Sequence, residues 1–417
     1  MKKRFLAFLV CMAVLLASFT GCYSAQDGPS TLSSSQTMQS NSGSAAENSV
    51  EIRTYGIPEE NVRANIIYVP SPSTGGFWTC AVFNAKTIQA YDPATKTAYF
   101  PCYQAGCKHN DASCTAYFGK EITALAEYRG NFYAMICYND DTASALVTRP
   151  VSGGPLEVLA RWEPENENEV RRCGLYGLSF GKAYLTVAKE TFAMEDGQEE
   201  LADEEYSDCY LDLETGELVE YMADEDGYLP YMHGVWGDVA VFQDWYADRP
   251  DGTPVKRDGS EDYNFRLYSK NLRTGEEKTI VDVTENFVWT ADPHVSWGQY
   301  TVYQVDRSVY VYDMETQTSK KLFTHEPGWD FYNYMILDGH VMVIGGTEDT
   351  CRAWAVDIAD GSVIELDTRG GNVVAFGANY ECNGYFAGLK RNSSGDFEQC
   401  YISKEDYYRS NYDAAFR

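Results

Sequence analysis

The sequence predicts an all-β fold, a β-propeller of four-stranded antiparallel blades, and three observations carry that expectation. A glycine followed by a short alternating apolar run returns seven times. A turn of the Asp/Asn–Thr–Gly kind falls between most of those returns. Aromatic residues make up 14% of the chain, 32 of them tyrosine, a balance that favours strands, and no long amphipathic helical pattern follows residue 50.

The glycine copies are "GFWTCAVF" at Gly76, "GNFYAMICY" at Gly130, "GKAYLTVAK" at Gly181, "GDVAVFQDW" at Gly237, "GQYTVYQV" at Gly298, "GHVMVIGG" at Gly339 and "GYFAGLKR" at Gly384. Their period of two is that of a strand with one buried face. The second marker is "YDPATKTAYF" at Asp92, "LDLETGELVEY" at Asp212, "NLRTGEEKTI" at Asn271, "YDMETQTSKKL" at Asp313 and "VDIADGSVIEL" at Asp357, with a looser "RPVSGGPLEVL" around Arg149. Asp and Asn side chains bond the backbone two residues on, and Gly accepts positive φ, so these are turns with a mechanism. The two markers alternate in one order at blade-like spacings of roughly 40–60 residues. Each glycine then joins strands a and b of a blade, and each Asp turn joins c and d. Seven blades are expected, with six or eight as alternatives because the last copy is ragged. Two separate β-sandwiches would not keep one order of markers. The segment "VEIRTYG" (Val50–Gly56) is expected to supply the outer strand that closes the last blade.

Ahead of the propeller, "MKKR" is a basic region and "FLAFLVCMAVLLASF" an apolar run that ends near "FTGC" at Cys22. This has the shape of a secretory signal, and its apolar run falls short of the ~20 residues of a spanning helix. It is similar to the bacterial lipoprotein signal, although Phe19 stands where leucine is usual. The expected organisation is a signal peptide over 1–21, a lipidated Cys22 with a polar tether over 22–49, and the propeller over 50–417. The tether, rich in Ser, Thr, Gln and Asn, has too little apolar surface to fold.

The chain carries a formal charge of −29, and losing Lys2, Lys3 and Arg4 with the signal makes it more acidic. Such a chain repels phosphate backbones and anionic membranes, which excludes nucleic acid as a partner. Calcium, cationic partners and neutral glycans remain.

Antiparallel order puts the b–c loops and the blade-to-blade d–a links on one face. There we place "CYQAGCKHNDASC" (102–114), an acidic insertion "ETFAMEDGQEELADEEYSD" in blade three and a second insertion "YADRPDGTPVKRDGSEDYN" in blade four. Aromatic links around blades four to six offer Tyr228, Tyr231, His233, Trp236, Trp289, His294, Trp329 and Tyr332 as candidate ligand-binding residues at the central mouth, able to stack on sugar rings or clamp a peptide. Packing between blades is the alternative use of the same side chains.

Cys102, Cys107, His109 and Cys114 form a complete Cys₃His set, which suits tetrahedral zinc. Outside the cell cysteines tend to oxidise. Ten cysteines remain once Cys11 leaves and Cys22 is lipidated, an even number. One or two disulfides in the loop are therefore the first expectation, zinc the second and free thiols the third. "GLSFG" (Gly177–Gly181) matches the nucleophile pattern G-x-S-x-G but falls on a blade strand rather than a strand–turn–helix, so Ser179 is read as coincidence. "ADEDGY" (Ala223–Tyr228) lacks the spacing of a calcium loop and is expected to bind calcium weakly at most.

With Cys22, the tether, the blade markers and "CYQAGCKHNDASCTAYF" together, the chain resembles the surface lipoproteins of Gram-positive gut bacteria that carry a TolB-like propeller or a related domain without an assigned activity. The resemblance implies lipid anchoring on the outer face of the cell membrane. The expected function is a monomeric, non-enzymatic binding or scaffold module presenting a propeller face to an extracellular protein, peptide or glycan. The alternative is a glycan-active hydrolase or lyase that uses the central mouth.

Overall fold

Seven antiparallel sheets follow one another along the chain in a computed structural model. It describes residues 52–417 except 66–68, 74, 81–85, 103, 139–141, 196–197, 225–228, 249–253, 256–263, 284–295, 330, 348, 369–374 and 393–395. The expected signal, tether and Cys22 lie outside the described residues. The propeller is the compact unit Thr54–Arg417.

Blade one holds Val69–Pro70, Phe77–Cys80, Ile88–Asp92 and Thr97–Tyr99, and blade two Glu121–Tyr128, Asn131–Tyr138, Ala143–Pro150 and Glu157–Trp162. Blade three holds Glu169–Ser179, Lys182–Glu195, Gln198–Asp212 and Leu218–Ala223. Blade four holds Tyr231–Trp236, Val239–Asp248, Asn264–Asn271 and Glu277–Val283, with Pro254–Val255 paired onto its second strand. Blade five follows with Ser296–Trp297, Tyr300–Val305, Ser308–Asp313 and Thr318–Thr324, and blade six with Phe331–Leu337, His340–Thr347, Thr350–Asp357 and Val363–Leu366. Blade seven has Phe376–Cys382, Tyr385–Arg391 and Phe397–Ser403. Within each sheet the strands lie in chain order, so the fold is a seven-bladed propeller.

Both sequence markers act as expected. The a–b hairpins turn through paired positive-φ residues at Arg129–Gly130, Phe180–Gly181 and Asp338–Gly339, the twist-matched geometry of a two-residue hairpin. At the c–d turns the side-chain oxygen of Asp92, Asp212, Asn271, Asp313 or Asp357 accepts from the amide two residues on, at 2.9, 3.0, 3.0, 2.9 and 2.7 Å. Apolar faces of neighbouring blades interdigitate. Trp78, Ile88, Phe132 and Val147 pack between blades one and two, and Val302, Val311, Ile336 and Val343 between blades five and six.

Three expectations need correction. The described part of the expected closing segment, Ile52–Gly56, forms no strand of the last blade. Among the described residues blade seven has three strands, and its outer edge is met by the C-terminal segment, where Phe416 exchanges backbone hydrogen bonds of 2.7 and 2.9 Å with Tyr401. Residues 55–65 instead form a strap that runs along the first strands and a–b turns of blades two to six. Asn61–Arg63 adds a fifth, innermost strand to blade three. The Asn61 carboxamide donates to the Val235 carbonyl of blade four (2.8 Å) and to the Gly298 carbonyl at the blade-five turn (2.9 Å). Asn65 then pairs with Leu125 in blade two. This route explains Gly177, where a methyl group would run into the Val62 carbonyl oxygen.

The acidic insertion of blade three is likewise not a loop. The second and third strands of that blade run on to 14 and 15 residues, paired as far as Glu195 and Gln198. Their ladder satisfies the backbone groups that a loop of that length would leave to water. The third concerns the cysteine segment.

The strap is pinned by a buried polar cluster. The Tyr55 amide donates to Asp338 (2.5 Å) and its hydroxyl to Asp357 (2.8 Å). The Lys404 ammonium, 2% exposed, donates to Asp338 (2.7 Å), Glu381 (3.0 Å) and the Tyr55 carbonyl (3.0 Å). Lys404 opens the short helix Lys404–Tyr408, which Ser403 caps. The Tyr408 hydroxyl from the same turn also donates to Asp338 (3.0 Å). One cation thus joins the strap, blade six and blade seven.

Candidate metal centre

The chain leaves blade one after Tyr99 and makes a tight series of turns before blade two. The Cys107 amide donates to Gln104 O (3.3 Å), Asp111 accepts from the Ser113 amide (2.9 Å), and the Cys114 amide donates to Asp111 O (3.0 Å). Gly106 and His109 both have positive φ, 74° and 55°, an uncommon conformation for a histidine. The effect is to fold the four candidate ligands inward. One donor atom from each of Cys102, Cys107, His109 and Cys114 lies within 4.8 Å of all the others. His109 Nδ1 is 3.3 Å from Cys114 Sγ, and the His109 amide points at Cys107 Sγ at 3.4 Å.

A zinc ion with Zn–S near 2.3 Å and Zn–N near 2.0 Å has donor–donor edges of about 3.5–3.8 Å. A contraction of about 1 Å or less therefore closes the four donors on one ion. Second contacts hold the ligands. The imidazole of His109 stacks on Phe100, with ring centroids 4.2 Å apart and planes 19° apart, and the His109 carbonyl accepts from Thr87 (3.1 Å). The thiols are unequal. The Gln104 amide draws the Cys102 thiol down to about 6, whereas burial pushes Cys114 up to about 11.

No disulfide joins the nine described cysteines outside blade one, and the sulfurs of this loop converge on a common point together with a histidine. The placement is corrected. The loop begins and ends on the d–a face, but its second half wedges between blades one and two. The Ile88 amide of blade one donates to Ala116 O (2.9 Å) and the Phe118 amide to Lys86 O (2.7 Å). On the other side Arg149, at the end of the third strand of blade two, reaches the carbonyls of Cys114, Thr115 and Tyr117. Chain direction fixes where a link starts and stops, while the buried apolar side chains of Cys114, Ala116 and Phe118 draw it inward. Arg149 is a residue that sequence reasoning missed, because it lies 35 residues beyond Cys114 and inside a blade marker.

The aromatic candidates pair with nearer neighbours. Tyr231 and His233 meet edge to face at 5.1 Å, and buried His233 lies 2.9 Å from Gln243. Trp236 packs edge to face on Phe180 at the a–b turns of blades three and four, and Trp329 stacks on Trp354 at 5.0 Å. Tyr228, Trp289 and His294, the side chain of Tyr332 and the greater part of the weak calcium loop lie outside the described residues. Ser179 is wholly buried, opposite Asn61. Gly177 is explained by the strap and Gly181 by its hairpin, so the nucleophile-like motif is a by-product of the fold.

No family model matches the chain, and no curated protein matches it. Among solved structures it is similar in fold to a puromycin-hydrolysing peptidase of Mycobacterium tuberculosis, at 12% identity and a TM-score of 0.46, over 84% of this chain and 55% of that one. It is also similar to the β-propeller domain of the trilobed protease from Pyrococcus furiosus, at 11% identity, a TM-score of 0.43, and 78% and 88% coverage. TolB from Acinetobacter baumannii is a third, at 13% identity and a TM-score of 0.29, with 81% and 76% coverage. The chain spans about half the length of the first of these. The likeness is one of fold. The expectation of a non-enzymatic binding or scaffold module, with a glycan-active enzyme as its alternative, is corrected at this point. The structures it resembles in fold include those of peptidases.

Proposed function

We propose that this chain is a zinc-binding β-propeller in which Cys102, Cys107, His109 and Cys114 hold one structural zinc ion that staples blade one to blade two. The observation that carries the reading is the convergence of four soft or borderline donors within 4.8 Å on a loop hydrogen-bonded to both blades. Three thiolates and an imidazole select zinc over calcium or magnesium, which take oxygen ligands. Four protein ligands leave no open position for substrate, the pattern of a structural rather than a catalytic zinc. Blade one gains most from the staple, because its strands are the short runs of two to five residues given above. Elemental analysis of protein purified under reducing conditions is expected to find one zinc per chain, and none in Cys114→Ser. Metal-free wild type after zinc supplementation overturns the reading.

The Cys22 signal supports a further part of the proposal, that the propeller is tethered to the outer face of a cell membrane by lipid. Cys22→Ala is expected to move the protein from the membrane fraction to the medium. A variant that stays with the membrane refutes the anchor.

A further inference from the structure

Arg149 sits in an environment that the fold alone does not explain. Its side chain is 5% exposed, and among the described residues no carboxylate lies within ion-pair distance of it. Nη1 donates to three backbone carbonyls of the metal loop, Cys114 (3.3 Å), Thr115 (a short bond) and Tyr117 (3.2 Å). The guanidinium carbon lies 5.4 Å from the centroid of the Phe118 ring, and Nε has no hydrogen-bond partner among the described residues. Carbonyl dipoles solvate a cation in part, but a buried charge without a counter-charge is costly.

A loaded metal centre supplies that counter-charge. Zinc carries two positive charges, three thiolates carry three negative ones and the imidazole is neutral, so the complex has a net charge of minus one. Cys114 is both a ligand of that complex and the residue whose carbonyl Arg149 holds. We propose that Arg149 is a positioning and charge-balancing residue of the metal centre: it fixes the Cys114–Tyr117 backbone and offsets the negative charge of a zinc ion bound by three thiolates. The inference rests on the zinc reading above. It assigns the cation from blade two to a site whose ligands all come from the preceding link, so metal binding and the junction of the two blades are coupled. Coupling of this kind is reciprocal: the ion stabilises the buried guanidinium as much as the guanidinium stabilises the ion.

The test is zinc affinity by competition with a chromophoric chelator, read on wild type, Arg149→Lys and Arg149→Met, beside thermal unfolding of each protein with and without zinc. Loss of a supporting group around a metal site weakens binding by roughly 10–100-fold, and Arg149→Met is expected in that range. Arg149→Lys keeps the charge and loses the planar fork, so its affinity is expected between the two. The gain in melting temperature on adding zinc shrinks in the same order. A purely structural Arg149 lowers the melting temperature equally with and without zinc and leaves the affinity unchanged, and that result overturns the proposal. If Arg149→Met does not fold, Arg149→Lys decides alone: wild-type affinity refutes, a several-fold loss supports. Wild type that binds no zinc removes the metal reading and this one together, whereas tight binding that is indifferent to residue 149 removes only this one.

Discussion

Replacing Lys404 by methionine removes one ammonium and leaves two buried carboxylates facing each other. Lys404 is 2% exposed, Asp338 not at all and Glu381 5%. Asp338 keeps bonds from the Tyr55 amide and the Tyr408 hydroxyl, and Glu381 keeps bonds from the Trp297 indole (2.6 Å) and the Asp338 backbone amide. Neither set neutralises a charge. Removing one partner of a buried ion pair costs about 3–5 kcal/mol. An unfolding entropy of about 2 cal/mol/K per residue gives this body about 0.75 kcal/mol per degree, so the expected fall in melting temperature is about 4–7 °C. Circular dichroism melts and urea titrations measure it. The variant carries a pH signature. Burial already raises the Glu381 carboxyl above its ordinary range, and the Lys404 charge opposes that rise. With lysine gone, Glu381 favours its protonated form further. A carboxyl whose folded pKa is raised loses stability as pH climbs above its unfolded value. Lys404→Met is therefore expected to lose more stability than wild type between pH 5 and pH 8, and Glu381→Gln in the same background to recover part of the loss. A destabilisation under about 1 kcal/mol with no added pH dependence refutes the view that this cluster locks the strap to the last two blades.

Two other outcomes follow from the same structure. Gly177→Ala places a methyl group against the Val62 carbonyl and is expected to cost about 1–3 kcal/mol, with faster proteolysis near residues 54–65; an unchanged melt and digest would count against the strap. Burial pushes His233 down to about 4, so stability present above the unfolded value near 6.5 is lost as pH falls towards 4, by up to about 3 kcal/mol. His233→Gln should flatten that acid limb in urea titrations, and an unaltered limb refutes the assignment.

What could be read from the sequence, and what could not, follows from the range of the interactions. The glycine hairpins and the Asp turns are local devices, set by φ and by side chain-to-backbone bonds within three residues, and they located the blades. The strap was hidden because Asn61–Arg63 is three residues long and has no period of its own. Its partner is Gly177, which read as half of a nucleophile motif. The C-terminal edge of blade seven was hidden in the same way, since one bridge between Tyr401 and Phe416 leaves no pattern. The blade-three insertion read as a loop because its residues are acidic, although long strands can be acidic on both faces when they project into water. The four candidate metal ligands were legible as a set because they fall within one short link. Arg149 was not, because nothing in "RPVSGG" marks a cation that serves a loop in another part of the sequence.

The central claim is the metal, and X-ray absorption at the zinc edge tests it most directly. The account predicts a four-coordinate ion with three sulfurs near 2.3 Å and one nitrogen near 2.0–2.1 Å, and loss of one sulfur in Cys114→Ser. Zinc surrounded by oxygen and nitrogen alone, or bound in equal amount by Cys114→Ser with an unchanged spectrum, would contradict it.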